Sequence, residues 1–234
     1  MDLDEALKQI ATYEYGQSRR SLILVAEQVR DSHGDPDRRK QLGKQLTALL
    51  SSKATMDCKR FVCEQLSIIG SNDEVPELAK LLTDEKLSHM ARFALERIPG
   101  SASDAALRDA LRKAKGNILI GVINSVGERR DREAAGALIR LISDPDDTVA
   151  GAAIAALGKI GGPEAVEALA KAKTRASPKM RPTVVDALLV CADRLLAQGM
   201  RDEAINMYRE LCTPTEAKHV RTAAQHGLEA AKKK

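Results

Sequence analysis

Aromatic side chains are scarce in this sequence: they make up 2% of its 234 residues, and tryptophan is absent. The core must therefore consist of leucine, isoleucine, valine and alanine, which suits closely packed helices and offers little for β-sheets to use. The scarcity also leaves single-stranded nucleic acids without aromatic side chains on which their bases could stack. The formal net charge of only +4 gives no general argument for nucleic-acid binding either.

Cysteines and histidines are also few, with four of each. No two cysteines form a C-x-x-C pair, and no carboxylate near His219 and His226 completes a set of metal ligands. We therefore predict neither a metal site nor another cofactor. Most of the cysteines lie among apolar residues, which indicates reduced side chains in the core. These residues are Cys58, Cys63, Cys191 and Cys212.

Long apolar runs are missing as well. No stretch is apolar enough over the roughly 20 residues that a membrane-spanning helix requires, and the acidic residues 1–5 lack the pattern of a signal peptide. These observations leave the compartment open. Reduced cysteines favour the cytoplasm slightly, and a periplasmic or extracellular place stays open for a domain of a longer chain.

The most informative stretch that is present covers residues 144–173, which read as two helices joined by a tight turn. Apolar residues recur at spacings of three and four in each half, so they share one face of each helix. The sequence Gly161-Gly162-Pro163 separates the halves, because glycine ends helices readily and proline is tolerated in a first helical turn. Neither helix can bury its apolar face alone, so the pattern predicts neighbours of the same kind.

Similar helix pairs recur along the chain. Each first helix is followed by a glycine, at positions 70, 100, 127 and 161, in steps of 30, 27 and 34 residues. A repeated helix–turn–helix unit of about 30 residues is typical of an α-solenoid. We therefore predict an all-α fold, a right-handed superhelical α-solenoid of antiparallel helix pairs, in which Gly127 ends one of the first helices.

The regular units cover only the middle of the chain. We expect residues 1–55 to form N-terminal helices that cap the array, residues 56–173 to form the repeats, and residues 174–234 to form C-terminal capping helices. All three segments would belong to one continuous solenoid domain. The terminal units of such arrays differ from the inner ones because one of their sides faces water.

The repeat resembles a known family. The sequence GGPEAVEAL at 161–169, preceded by AALGKI at 155–160, looks like the HEAT-like repeat found in bacterial proteins and phycobilin lyases. The segments SVG at 125–127 with AAGAL at 134–138, and IIG at 68–70 with VPEL at 75–78, look like further copies. The spacing of Ala204 and Tyr208 after a glycine-containing turn is similar to a tetratricopeptide repeat. The HEAT-like resemblance implies a binding scaffold, because few members of that family are enzymes.

Three enzymatic uses of such solenoids can be compared with the sequence. Deoxyhypusine hydroxylases bind di-iron through His-Glu dipeptides, and this chain contains none. The HEAT-like alkylpurine DNA glycosylases hold the damaged nucleotide with tryptophans, which this chain also lacks. No short motif excludes a phycobilin lyase, so that activity stays open.

Basic residues are concentrated in the predicted second helices of the middle units. In a solenoid these helices line the concave surface, and their outward side chains form a continuous ladder. Five of these side chains are candidates for a binding site: Arg108, Arg112, Arg132, Arg140 and Lys171.

These features together predict a non-catalytic protein-interaction scaffold or binding module, part of a larger protein or assembly. An unidentified protein partner would present an acidic segment to the five basic residues. The alternatives are a nucleic acid or a phosphate-bearing ligand on the same basic face, a bilin-lyase-like enzyme, and an ordinary solvated helix surface. We expect a monomer without a membrane span.

Overall fold

The chain folds almost entirely into α-helices. The computed structural model describes residues 1–233, and this part of the chain contains fourteen α-helices, one short 3-10 helix and no β-strand. The helices form two compact units, unit 1 from Met1 to Ser125 and unit 2 from Val126 to Lys234, and the division falls within the eighth α-helix.

Unit 1 packs its helices in two layers. Helices α2, α4 and α6 form a first-helix layer, in which each contacts the next, and α3, α5 and α7 form a second-helix layer in the same way. The short connections α3–α4, α5–α6 and α6–α7 join helices of different layers. The bounds are α1 Leu3–Ile10, α2 Arg20–Asp31, α3 Pro36–Leu50, α4 Met56–Ile69, α5 Val75–Lys80, α6 Ser88–Arg97, α7 Ser101–Lys113 and α8 Gly116–Arg129.

Unit 2 repeats this arrangement. Helices α10, α12 and α14 form its first-helix layer, α9 and α11 form its second-helix layer, and α13 packs against α12 and α14. The 3-10 helix leads directly into α9. The bounds are Arg132–Ala134 for the 3-10 helix, then α9 Ala135–Leu141, α10 Asp147–Ile160, α11 Pro163–Arg175, α12 Arg181–Ala197, α13 Arg201–Leu211 and α14 Lys218–Lys233.

Aliphatic side chains fill the space between the two layers of each unit. Leu66 and Leu78 in unit 1, and Leu138 and Leu157 in unit 2, are fully buried at 0% exposure. Consecutive helices joined by short turns and stacked in two layers confirm the predicted all-α solenoid. Within residues 1–233, no helix combines the length and the apolar character that crossing a membrane requires.

The turn between α10 and α11 forms where the sequence predicts it. Gly161 and Gly162 have φ angles of 65° and 86°, a left-handed region that side chains with a Cβ rarely adopt. Pro163 then occupies the first position of α11. At the other end of α10, Asp146 caps the helix, because its Oδ1 accepts the backbone N–H of Thr148 at 2.8 Å.

Gly127 does not end its helix, contrary to the sequence prediction. Helix α8 continues to Arg129, and the left-handed residue that follows it is Arg130, with φ of 58°. Gly127 instead lies where α8 meets α10: a Cβ at this position would come within 2.9 Å of the Cα of Ala156. The glycine is therefore required by close helix packing and not by a turn.

The last three helices are held together by Tyr208 of α13. Its ring is buried, and its hydroxyl donates a hydrogen bond to Asp193 Oδ1 of α12 at 2.6 Å. The ring lies against Gly227 of α14, where a Cβ would come within 2.4 Å of it. Tyr208 is one of the two residues that suggested the tetratricopeptide-like pair. The division into capping segments 1–55 and 174–234 around repeats 56–173 stays a prediction.

Candidate functional site

Two of the five predicted site residues lie on α7 of unit 1. Arg112 is exposed and pairs with Asp109 at 2.7 Å. Lys113 pairs with the same carboxylate at 2.5 Å, so Asp109 offsets part of the positive charge on this helix. Arg108 is half-buried.

The other three predicted residues lie in unit 2, and all are exposed. Arg132 is in the 3-10 helix, Arg140 is in α9, and Lys171 is in α11, where it pairs with Glu167 at 2.5 Å. The positive charge of Arg132 helps to lower the pKa of Arg194. Lys171 lines a cavity to which neither of these arginines contributes. Unit 2 therefore does not bring its three predicted residues to one cavity.

That cavity is a groove of about 350 Å³ between α9, α10, α11 and the start of α12. Its volume is in the range of ordinary ligand sites. Most of its lining is apolar, and we call these side chains the floor. The floor consists of Ile139, Ile142, Ala150, Ile154, Ala168, Ala172, Ala176, Met180 and Val184.

Charged side chains border the groove on two sides. On the α10 side, Asp147 pairs with Lys179 at 2.6 Å, and Asp144 Oδ1 accepts the backbone N–H of Asp146 at 2.9 Å. The N-terminus of α10 also faces the groove here, because Asp147 is its first residue and lines the cavity. A helix N-terminus carries a partial positive charge, which offsets part of the negative charge of these carboxylates.

The opposite border is basic. Arg175 lines the groove from the last turn of α11, and Lys171 lines it one turn earlier on the same helix. Lys171 pairs with Glu167, whereas Arg175 forms no ion pair in the described part of the chain. Arg175 was missed by sequence reasoning, although its position four residues after Lys171 puts both side chains on one helix face. The groove therefore combines an apolar floor with one arginine, Arg175, whose charge no ion pair neutralises.

A buried carboxylate joins the end of α11 to the start of α12. Glu216 is 6% exposed, accepts a hydrogen bond from Arg181 at 2.8 Å and pairs with Lys173 at 2.7 Å. Arg181 begins α12 and Lys173 lies near the end of α11, so one carboxylate ties both helices. The walls of the groove are therefore held by contacts that a bound segment does not have to supply.

The thiols are poor nucleophiles. Burial raises the pKa of Cys58 to about 11 and the pKa values of Cys63 and Cys191 to about 12. All three therefore stay protonated at neutral pH. Among residues 1–233, no three side chains of the histidine, cysteine, aspartate or glutamate type are grouped as metal ligands.

Two stacked layers of paired helices define the class of this protein: it is a helical repeat scaffold. Residues 104–189 match the model of the HEAT repeats family. Residues 104–189 thus contain HEAT-like repeats, as the sequence resemblance indicated. No curated protein matches the sequence.

Solved structures share the fold at low sequence identity. An engineered protein from the Northeast Structural Genomics Consortium is 18% identical, with a TM-score of 0.50 over 98% of this chain and 68% of that one. Lipovitellin, in a structure concerned with its lipid–protein interactions, is 14% identical, with a TM-score of 0.63 over 99% of this chain and 27% of that one. The complex of CpcE and CpcF of phycocyanin lyase from Nostoc is 14% identical over 99% of this chain and 95% of that one. Its TM-score of 0.49 is too low to carry an argument.

Proposed function

We propose that this chain is a non-catalytic protein-interaction module whose groove in unit 2 binds an acidic segment of a partner protein. The observation that carries the proposal is the apolar floor bordered by Lys171 and by Arg175, which has no ion pair in the described part of the chain. Helical repeat scaffolds typically use such surfaces for protein interaction. The module acts as a monomer within a larger protein or assembly.

The floor supplies affinity through burial. Ile139, Ile142 and Met180 line the groove and are only half-buried, so part of their apolar surface stays in contact with water. Covering this surface with apolar side chains of a partner contributes about 25 cal/mol for each Å² removed from water. The segment therefore needs at least one apolar side chain that enters the groove.

The charged groups of the groove determine which residues can flank the apolar side chains of that segment. Arg175 presents a guanidinium group that can form two parallel hydrogen bonds with one carboxylate, and Lys171 adds a second positive charge on the same helix. The α10 N-terminus adds a partial positive charge. Asp144 opposes these groups, but its Oδ1 is already engaged by the Asp146 N–H. We therefore infer a segment with glutamate or aspartate beside its apolar residues. Of the five cations predicted from the sequence, Lys171 belongs to this proposed site.

The alternatives from the sequence have weaker support. Phosphate-backbone binding through Arg112 would compete with Asp109, which already pairs with Arg112 and Lys113. A bilin-lyase activity has no observation of its own in its favour. Both stay hypotheses.

The test compares two fluorescent peptides that share their apolar residues but carry either glutamate or lysine at the flanking positions. Anisotropy titrations use the full chain and the double variant Lys171→Glu/Arg175→Glu. We expect the glutamate peptide to bind the wild type and to lose affinity in the variant by roughly tenfold for each charged hydrogen-bonding group removed. The lysine peptide should bind the wild type more weakly than the glutamate peptide.

The matched control is Arg209→Glu/Lys218→Glu, which makes the same change of net charge on α13 and α14 at exposed positions outside the groove. This variant should bind the glutamate peptide like the wild type. Equal losses in both double variants would mean that net charge and not the groove controls binding. Equal affinity of the wild type for both peptides would refute the acidic segment.

A further inference from the structure

A second cavity of unit 2 lies beside Arg194, in the last turn of α12. Nε of Arg194 is buried and makes no hydrogen bond within the described part of the chain. The guanidinium group packs over the turn after α10, where a Cβ on Gly161 would lie 3.6 Å from Nε. A buried polar group without a partner is uncommon in native structures, so this N–H calls for an explanation.

Arg130 lines this cavity together with Arg194. Burial lowers the pKa of Arg194, and the charges of Arg130 and, less strongly, Arg132 lower it further. Among residues 1–233, no carboxylate forms an ion pair with Arg130 or Arg194. These two guanidinium groups, which we call the arginine cluster, therefore repel each other without an ion-paired counter-charge.

The two carboxylates that line the cavity have other partners. Glu128 pairs with Lys159 at 2.5 Å, and Asp193 accepts the hydroxyl hydrogen bond of Tyr208. The cavity lining thus contains charges of both signs. Most of its charges that have no oppositely charged partner belong to the arginine cluster.

The backbone at Arg130 is a separate observation. Its φ of 58° is left-handed, and among residues 1–233 it is the only residue other than glycine with a positive φ. The backbone N–H of Arg130 donates to Gly127 O, and the backbone N–H of Asp131 donates to Val126 O. This is the pattern of a helix C-terminus in which glycine usually occupies the position of Arg130. An arginine there is strained, and such strain is found most often where the side chain is needed for function.

The cavity can hold a ligand larger than a single ion. Its volume is about 490 Å³, and Val190, which is 40% exposed, and Ala197 form an apolar part of its wall. An anionic group at the arginine cluster could therefore place its carbon portion against Val190.

Helix ends give a simpler explanation for some of these charges. Arg130 follows α8 and Arg194 lies in the last turn of α12, and positive side chains stabilise the negative ends of helices. That effect accounts for basic residues at the ends of both helices. It does not account for a left-handed arginine where glycine would fit, nor for the buried Nε without an acceptor.

We propose that Arg130 and Arg194 form a binding site for a phosphate monoester group. The dianion offers three oxygens to guanidinium groups that can each donate two hydrogen bonds, and it supplies the missing counter-charge. The phosphate belongs either to a small metabolite or to a phosphorylated side chain of a protein, since both present the same chemistry to the cluster.

The test is calorimetric titration of the full chain at low salt with inorganic phosphate, O-phosphoserine and a phosphoserine peptide. The variants are Arg194→Gln and Arg130→Gly. Each should weaken phosphate binding by on the order of tenfold, because each removes a charged hydrogen-bond donor. Arg130→Gly should at the same time raise the thermal midpoint of unfolding, since glycine accepts the left-handed backbone. A loss of binding in a more stable protein cannot be attributed to unfolding.

The control is Arg209→Gln, an exposed arginine of α13, which should bind phosphate like the wild type. Tighter binding of the phosphoserine peptide than of O-phosphoserine assigns the phosphate to a partner protein, and equal binding assigns it to a small molecule. The proposal is overturned if no probe binds, or if both cluster variants keep the affinity of the wild type. In either case the arginines serve only as charges at helix ends.

Discussion

In unit 1, α6 meets α8 through a polar side chain, whereas in unit 2, α10 meets α8 and α12 through their backbones. Arg92 of α6 reaches across to α8, where its Nη1 donates hydrogen bonds to Gly121 O at 3.0 Å and to Ser125 Oγ at 3.2 Å. Ser125 in turn donates to Glu96 Oε1 at 2.6 Å. Gly121 makes room for this bridge, because a Cβ there would lie 2.5 Å from the guanidinium carbon.

Unit 2 uses small residues in place of such a bridge. Gly127 of α8 faces Ala156 of α10, and Gly158 of α10 faces Ala187 of α12. In both pairs a Cβ on the glycine would come within 2.9 Å of the Cα of the alanine. The same stacking of helices is thus obtained in two ways. They differ in how well they tolerate an added side chain, because a long side chain can move aside and two backbones in contact cannot.

The most direct test of this difference between the units is to add one methyl group at each kind of contact. Gly158→Ala should lower the free energy of unfolding by about 2 kcal/mol, because the methyl group meets backbone atoms of Ala187 that cannot yield. Gly121→Ala should cost only about 1 kcal/mol, because Arg92 can turn away and lose its hydrogen bond to Gly121 O. Urea denaturation measures both values.

Gly136→Ala is the matched control for these substitutions. Gly136 is an exposed residue of α9, and a Cβ there would have nothing within 4 Å. The substitution should raise the free energy of unfolding by about 0.5–1 kcal/mol through helix propensity alone. If Gly158→Ala were as stable as Gly136→Ala, the backbone contact in unit 2 would not be the constraint that we describe.

The next largest effect should come from removing the bridge in unit 1. Arg92→Met keeps an unbranched stem but removes the guanidinium group and its hydrogen bonds to α8. We expect the free energy of unfolding to fall by about 1–2 kcal/mol, because Gly121 O and Ser125 Oγ each lose a donor. Thermal and urea unfolding of the same variant should agree in direction.

Arg112→Met controls for the loss of an arginine on a nearby helix. Arg112 is exposed and pairs only with the surface residue Asp109, so its loss should change stability by no more than about 0.5 kcal/mol. Equal effects of the two substitutions would show that the bridge contributes nothing beyond an ordinary surface arginine.

The sequence predicts the helix pairs well because their signals are local. The apolar spacing in residues 144–173 and the Gly161-Gly162-Pro163 turn lie within a few residues of the structure they produce. Gly127 shows where local signals fail. A glycine that ends a helix and a glycine that allows a neighbouring helix to approach look the same in sequence, and only Ala156, 29 residues away, separates the two roles.

The two candidate sites differ in the same way. Lys171 and Arg175 are four residues apart on one helix, so their common face could be predicted from spacing alone. Arg194 lies within the apolar pattern of α12, and nothing in its local sequence links it to Arg130. Their proximity depends on how α12 packs beside the end of α8, which is a tertiary property.

The smallest effect in this series concerns the thiols, which also differ between the units. Both cysteines of unit 1 are buried, whereas unit 2 contains buried Cys191 and half-buried Cys212. Because thiolates and not thiols react, a disulfide reagent at pH 8 should modify Cys212 first. Cys58, Cys63 and Cys191 should react only when denaturant is added. Mass spectrometry of tryptic peptides identifies the modified residues.

The raised pKa values also give this prediction a pH dependence. Folding favours the neutral thiols, so their contribution to stability is complete below the unfolded-state pKa of about 8.5 and is lost as the pH rises toward the folded-state values. Those values are about 11 for Cys58 and about 12 for Cys63 and Cys191. Substituting the three buried cysteines by alanine should therefore flatten the fall of the thermal midpoint above pH 8.5. Modification of Cys58 or Cys63 in the native protein at pH 8 would instead mean that unit 1 opens locally, and that its bridged helices are less tightly packed than the backbone contacts of unit 2.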